Sequence, residues 1–245
     1  MSSGKKRLDV ALAQRGLVAT RSQAESYIKL GKVKVNGKIL NKSSILVSED
    51  DVLEIRGKER YVSRAALKLD SVARKLDLDF KDKTVLDVGS STGGFTDYAL
   101  QHGAKKIIAV DVGTDQLHPT LRSNPKVELH EKTDIRDFET KETPDIVVID
   151  VSFISLRQIL PAIAELSGEK TLLAAMLKPQ FEASPREVNK GVIKNDAIRR
   201  KILKDFETWA KQIFRISNKA DSEVTGSKGN RERFYILQKR HQLVS

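Results

Sequence analysis

Apolar positions along this chain fall first at helical spacing, then at alternating spacing, then in short unbroken runs. Leu8 and Leu12 stand one turn apart within 7–15, a short helix that Gly16 ends. Thr20-Arg21-Ser22-Gln23 reads as a capping box. The helix it starts buries Ala24, Tyr27 and Ile28 and stops at Gly31. Val33 to Leu40 alternates around Asn36-Gly37, the strongest short hairpin signal. Residues 45–47 and 52–55 read as further short strands. Arg56-Gly57-Lys58-Glu59-Arg60 has no apolar period and reads as a linker. Between 64 and 76, Ala65, Ala66, Leu69, Val72, Ala73 and Leu76 share one helix face.

Beyond residue 80 the pattern changes. Apolar runs at 83–86, 105–112, 126–130, 145–150 and 170–177 read as strands, several of them buried on both sides. Helical patterns at 95–101, 155–167 and 196–213 lie between or after them, and 233–238 alternates as a last strand. Repeated strand-then-helix order predicts an α/β fold, a parallel doubly wound sheet with right-handed crossovers. The chain thus divides into a small α+β domain at 1–57, a linker at 58–61 and a larger α/β domain at 62–245.

Composition narrows the partners. No apolar run approaches the roughly 18 residues that span a bilayer, and the start, Met-Ser-Ser-Gly-Lys-Lys-Arg, lacks the apolar stretch of a signal peptide. There is no cysteine, which excludes disulfides and thiolate metal sites, and the four histidines show no metal-ligand spacing. The expectation is a cytoplasmic protein without a metal. The net charge is +11, and the first sixty residues hold thirteen Lys/Arg against seven Asp/Glu, a net +6. From Lys5 to Lys42 ten basic side chains face only two acidic ones. Such a field favours nucleic acid, through phosphate contacts and counterion release. An anionic membrane surface fits less well, because no helix combines a basic face with bulky aromatic residues.

Candidate chemistry centres on Asp87-Val88-Gly89-Ser90-Ser91-Thr92-Gly93-Gly94-Phe95, a glycine-rich turn between a strand and a helix. It is neither a P-loop nor G-x-G-x-x-G. It resembles motif I of class I methyltransferases. That resemblance implies a Rossmann-like sheet binding S-adenosylmethionine, with Asp87, Gly89, Ser90, Ser91, Gly93, Gly94 and Phe95 around the cofactor. In doubly wound sheets ligands sit at the carboxyl ends of the strands. Asp111, with Val112 beside it, ends the second strand, where a carboxylate can accept both ribose hydroxyls of an adenosine. Asp134, with Ile135, follows the third strand and could accept from the adenine amino group; Asp137 is a nearby alternative.

Two further resemblances are specific. Arg7 to Ile55, with Arg-Leu-Asp near its start and Val-Lys-Val-Asn-Gly in its hairpin, resembles the alpha-L RNA-binding motif. It implies RNA contacts from Arg7, Arg21, Lys29, Lys32, Lys34 and Lys38, and Arg64 joins them at the start of the next helix. Tyr61 to Asp70 resembles the helix before motif I in FtsJ-like ribose 2′-O-methyltransferases. That family uses a Lys-Asp-Lys-Glu tetrad, matched by Lys68, by Asp150 in Val-Val-Ile-Asp-Val-Ser-Phe-Ile-Ser, by Lys178 in Met-Leu-Lys-Pro-Gln-Phe-Glu, and by Glu232 in Gly-Asn-Arg-Glu-Arg-Phe. Glu223 rivals Glu232, which is preferred because it immediately precedes the last strand. The combination of modules resembles the TlyA (hemolysin A) family of rRNA 2′-O-methyltransferases. It implies methyl transfer from S-adenosylmethionine to a cytidine ribose of ribosomal RNA or a ribosomal subunit, with Lys178 as general base. The alternatives are a membrane-active hemolysin-like protein, and an RNA-binding protein whose methyltransferase domain is inactive.

Overall fold

The computed structural model describes residues 4–18, 21–29, 31–55, 61–226 and 228–240. The expected capping-box residue Thr20 and the linker 56–60 lie outside the described residues. The chain divides into two compact units, Met1–Ser63 and Arg64–Ser245.

In the first unit, β1 (Lys6–Arg7) leads directly into α1 (Leu8–Gln14), followed by α2 (Arg21–Lys29). The hairpin is β2 (Val33–Val35) and β3 (Lys38–Ile39); β4 (Leu46–Val47) and β5 (Leu53–Ile55) follow. Asn36 and Gly37 both have positive φ, 50° and 78°, the primed turn that matches the twist of paired strands. β2 lies between β3 and β5, and β1 pairs with β4. The β1–β4 ladder is not legible in the sequence, since a two-residue Lys-Arg strand carries no apolar signal. Leu8, Leu12, Ala24, Tyr27, Ile28 and Val33 form a separate small core.

The second unit opens with α3 (Arg64–Ala73), β6 (Thr84–Val88), α4 (Gly94–Gln101) and β7 (Lys106–Val110). It continues through α5 (Pro119–Arg122), β8 (Val127–His130), β9 (Ile146–Ile149) and α6 (Leu156–Leu166). Then come β10 (Leu172–Leu177), α7 (Pro179–Glu182), α8 (Asp196–Ala210), β11 (Phe214–Asp221) and β12 (Arg233–Lys239). The seven-stranded sheet has the order β11-β12-β10-β9-β6-β7-β8. The expectation of an all-parallel sheet is corrected here: β12 runs antiparallel to both β10 and β11, so the sheet is mixed. β11 and β12 follow one another without an intervening helix, and a loop that simply reverses the chain gives an antiparallel pair. β11 itself escaped the pattern because it is an edge strand, with only Phe214 buried among its first five residues.

Leu86, Val88, Ile108, Val110, Val147 and Ile149 share one core with Ile159, Leu160 and Ile163 of α6 and Leu203 and Phe206 of α8. The intervening Val85, Ile107 and Val148 are equally buried. Both faces of the sheet are therefore covered, which is why these strands read as unbroken apolar runs. The carboxyl ends of β6, β7, β9 and β10 are thereby fixed side by side, and the loops leaving them carry the chemistry.

Candidate active site

Four ionisable side chains meet where these strands end. Lys178 follows β10 and Asp150 follows β9; Lys178 Nζ lies 2.6 Å from Asp150 Oδ1, with the two side chains 9% and 14% exposed. Lys68, from the middle of α3, places its Nζ 2.6 Å from Glu232 Oε2, just before β12. Glu232 is almost fully buried. Burial pushes its carboxyl above the usual carboxylate range, against the pull of Lys68 and Lys178 and with a further push from Asp150. The two ion pairs therefore form one electrostatic cluster drawn from α3, β9, β10 and the turn before β12. Glu232 is approached closely by backbone: a Cβ added at Gly226 would lie 2.8 Å from its Oε1. Glu223, the rival, is an exposed residue paired with Lys75 at 2.5 Å.

The glycine-rich turn adjoins this cluster. Asp87 is buried and accepts a hydrogen bond from Thr96 Oγ1 at 2.6 Å. Burial raises its pKa to about 7, with Asp150 and Asp111 adding to the rise. Its Oδ1 is a buried acceptor that no donor reaches among the described residues. Gly89 has φ 80°, and a Cβ there would lie 2.9 Å from the carbonyl oxygen of Asp150. Only glycine lets the β6 turn and the β9 turn approach so closely. Ser90 is buried, Gly93 caps α4 in the left-handed region, and Gly94 begins that helix. Phe95 is buried and packs on Phe234, ring centroids 5.9 Å apart. Asp111 is held by two backbone N–H groups, from Ser91 to Oδ2 at 2.8 Å and from Gly113 to Oδ1 at 2.7 Å. Its carboxylate is thus oriented, with acceptor capacity left on each oxygen. Val112 is 71% exposed. Asp134 is engaged by its own neighbour Arg136, whose Nη2 lies 2.6 Å away, while Ile135 is buried in the main core.

The candidate RNA-contacting residues are placed in several ways. Arg7 and Arg21 both pair with the buried Asp9, at 3.0 and 2.7 Å, and those two guanidinium groups hold the Asp9 carboxyl far below its usual range. Lys32 sits over the Tyr27 ring, 5.9 Å from its centroid. Lys34 is half-buried and Lys38 exposed on the β2–β3 hairpin, and the Lys29 side chain lies outside the described residues. Arg64 donates to the carbonyl of Thr225 at 3.3 Å. Among the described residues no group of three or more His, Asp or Glu could hold a metal, and no helix is long and apolar enough to cross a membrane.

Three residues beside the cluster went unread in the sequence. Lys178 Nζ donates to Ser152 Oγ at 2.8 Å. Phe153 is 91% exposed at φ 66°, its ring 5.2 Å from that of Phe181. The Glu182 carboxylate, 2% exposed, accepts from Ser155 Oγ and from the Leu156 amide. For Ser152 and Phe153 the available signal was Val-Ser-Phe-Ile-Ser after Asp150, an aromatic in a strand-end loop.

The FtsJ-like methyltransferase family model matches residues 61–240. The chain belongs to the FtsJ-like methyltransferase family. An S4 domain matches residues 6–53, so this FtsJ-like methyltransferase domain follows an S4 module. The chain is 42% identical over 240 residues to YqxC of Bacillus subtilis, covering 95% of this chain and 85% of that one. It is 42% identical over 199 residues to the 23S rRNA (cytidine-2′-O)-methyltransferase TlyA of Campylobacter jejuni, covering 80% and 78%. A solved Streptococcus thermophilus structure that bears a hemolysin label is 36% identical, with a TM-score of 0.77 over 98% of this chain and 90% of that one.

Proposed function

We propose that this protein transfers the methyl group of S-adenosylmethionine to a ribose 2′-hydroxyl, of a cytidine in ribosomal RNA. The observation that carries this reading is the pair of ion pairs Lys178–Asp150 and Lys68–Glu232, set beside the glycine-rich turn at the strand ends. The name of the Campylobacter relative supports the same acceptor.

The residues present fit the cofactor. Asp87 offers a buried acceptor still lacking a donor, and Asp111 is an oriented carboxylate at the end of β7. S-adenosylmethionine supplies, when bound, a methyl group activated by its positively charged sulfur. The chain must hold the acceptor oxygen in line and remove its proton. Lys178 would accept the proton that the 2′-hydroxyl gives up, its amine standing at the strand ends beside Asp150. Asp150 and Ser152 aim the Lys178 amine and stabilise the ammonium that results. Lys68 and Glu232 complete the polar wall around the acceptor oxygen. The exposed Phe153 ring offers a face on which a splayed base can stack, as single-stranded RNA sites do. The S4 module brings a basic surface to structured RNA, with Lys34 and Lys38 on its hairpin.

Radiolabelled S-adenosylmethionine with unmodified ribosomal subunits tests the reading, the label being located by blocked alkaline cleavage. One labelled ribose with wild type and none with Lys178→Ala is the expected result. Cofactor binding without label on either subunit would overturn the acceptor assignment.

A further inference from the structure

We propose that Glu182 is a positioning residue for Lys178, acting through the loop that carries Ser152; this rests on the ribose-methylation reading above. From Lys178 the chain enters the four-residue α7, which ends at Glu182. The Glu182 carboxylate crosses to the start of α6, accepting from Ser155 Oγ at 2.6 Å and from the Leu156 N–H at 2.7 Å. From Ser155 the chain runs back to Ser152, whose Oγ accepts from Lys178 Nζ at 2.8 Å. The path closes on itself, so the Lys178 amine is held both from its own backbone and from the loop opposite.

Two features tie this ring to the loop that carries Ser152. Ser155 caps α6 from its own chain, accepting from Arg157 N at 3.1 Å, while the Leu156 N–H is met by Glu182 from another element, which ties α7 to this loop. A carboxylate with 2% of its side chain exposed is placed there, its burial offset by the hydrogen bonds from Ser155 Oγ and Leu156 N–H and by Arg157, whose Nε lies 3.7 Å from Glu182 Oε2. Within the loop, Phe153 sits at φ 66°, a conformation a bulky side chain keeps only when its surroundings enforce it. The contacts to the loop come from α7: Glu182 holds its far end, and the Phe181 ring lies 5.2 Å from that of the largely exposed Phe153. Released from Glu182, the loop is free to relax toward extended backbone and to carry Ser152 away from Lys178.

The test compares full-length Glu182→Ala, Glu182→Gln, Ser152→Ala and the double Glu182→Ala/Ser152→Ala in rRNA methyl transfer, with hydrogen exchange on the same proteins. Misplacing a proton acceptor by about an ångström costs on the order of 100-fold. Glu182→Ala is therefore expected to lower kcat about 10- to 100-fold, with KM for S-adenosylmethionine and for RNA within about twofold of wild type. Glu182→Gln falls less, because its amide oxygen still accepts from Leu156 N–H. The double variant falls no further than about twofold below Glu182→Ala, since both changes break one ring. Exchange at 150–157 quickens in Glu182→Ala while the rest of the sheet keeps its protection. Wild-type kcat in Glu182→Ala, or kcat losses that multiply in the double variant, would overturn the proposal. If Glu182→Ala loses its melting transition, the kcat-against-KM split of Glu182→Gln decides instead. Unchanged exchange at 150–157 sinks the proposal whatever the transfer assay shows, whereas failure of wild type to label any rRNA sinks the functional reading alone.

Discussion

Asp87 shows how one side chain can set a pH dependence for the whole fold. Its carboxyl is buried, and burial raises its pKa from 3.8 to about 7. The folded protein therefore holds a proton that the unfolded chain gives up above about pH 4. Stability contributed at this site is greatest below that point and is lost as pH rises toward 7. Asn at this position keeps an oxygen for Thr96 and never ionises. Asp87→Asn is expected to be more stable than wild type at pH 8, by up to about 4 kcal/mol, the gain shrinking as pH falls to 4. Paired thermal melts in the absence of cofactor, across that range, check it; a gain independent of pH would be the wrong outcome.

The other site residues are tested by activity and by affinity. Replacing Lys178 by alanine removes the proposed proton acceptor and is expected to cost about 10²- to 10⁴-fold in methyl transfer. Cofactor affinity, measured by calorimetry, should stay near wild type. Asp111→Ala removes a carboxylate that the backbone amides of Ser91 and Gly113 orient. Charged hydrogen bonds of this kind are worth about 1.5–3 kcal/mol. Weaker S-adenosylmethionine binding by about 10- to 100-fold, with loss of cofactor-induced thermal stabilisation, is the expected result.

Among the elements, the turns at the strand ends matter most. Gly89 must be glycine on two counts, its φ of 80° and the 2.9 Å that would separate a Cβ from the Asp150 carbonyl. Alanine there should displace the β9 turn and with it Asp150, lowering stability by about 1–3 kcal/mol and transfer activity more steeply than stability. Melting and single-turnover kinetics on Gly89→Ala separate the two effects. The turn was legible because glycines mark strand-to-helix reversals. β11 was not, because an edge strand with half of its residues exposed lacks the unbroken apolar run that burial imposes on β6, β7, β9 and β10. Missing β11 also hid the one reversed strand, since pairing direction follows from the connection and not from the strand's own residues.

For the molecule as a whole, the uneven charge is the leading feature. The first sixty residues carry a net +6 of the total +11. Not every basic residue there is equally available, because Arg7 and Arg21 share Asp9. Lys34 and Lys38, on the hairpin, are the better candidates for phosphate contact. Replacing both with glutamate should weaken rRNA affinity and lower the slope of log affinity against log salt by roughly one for each phosphate left unneutralised. S-adenosylmethionine affinity should not change. An unaltered salt slope would move the RNA-binding surface elsewhere.

The order of most strands and helices, the glycine turn, the basic first unit and the identities of Lys68, Asp150, Lys178 and Glu232 were all present in the linear chain. Local periodicity, turn chemistry and motif spacing are properties of neighbouring residues, so they survive without a fold. What only the tertiary structure decided was who meets whom. Lys68 pairs with a glutamate far along the chain, Asp134 turns to Arg136, Glu223 to Lys75, and Arg7 and Arg21 converge on Asp9. It also brought Ser152 to Lys178 and Glu182 to the start of α6. Such pairings depend on how the strand ends are stacked and on which groups burial leaves in need of a partner, and neither is written in any one segment.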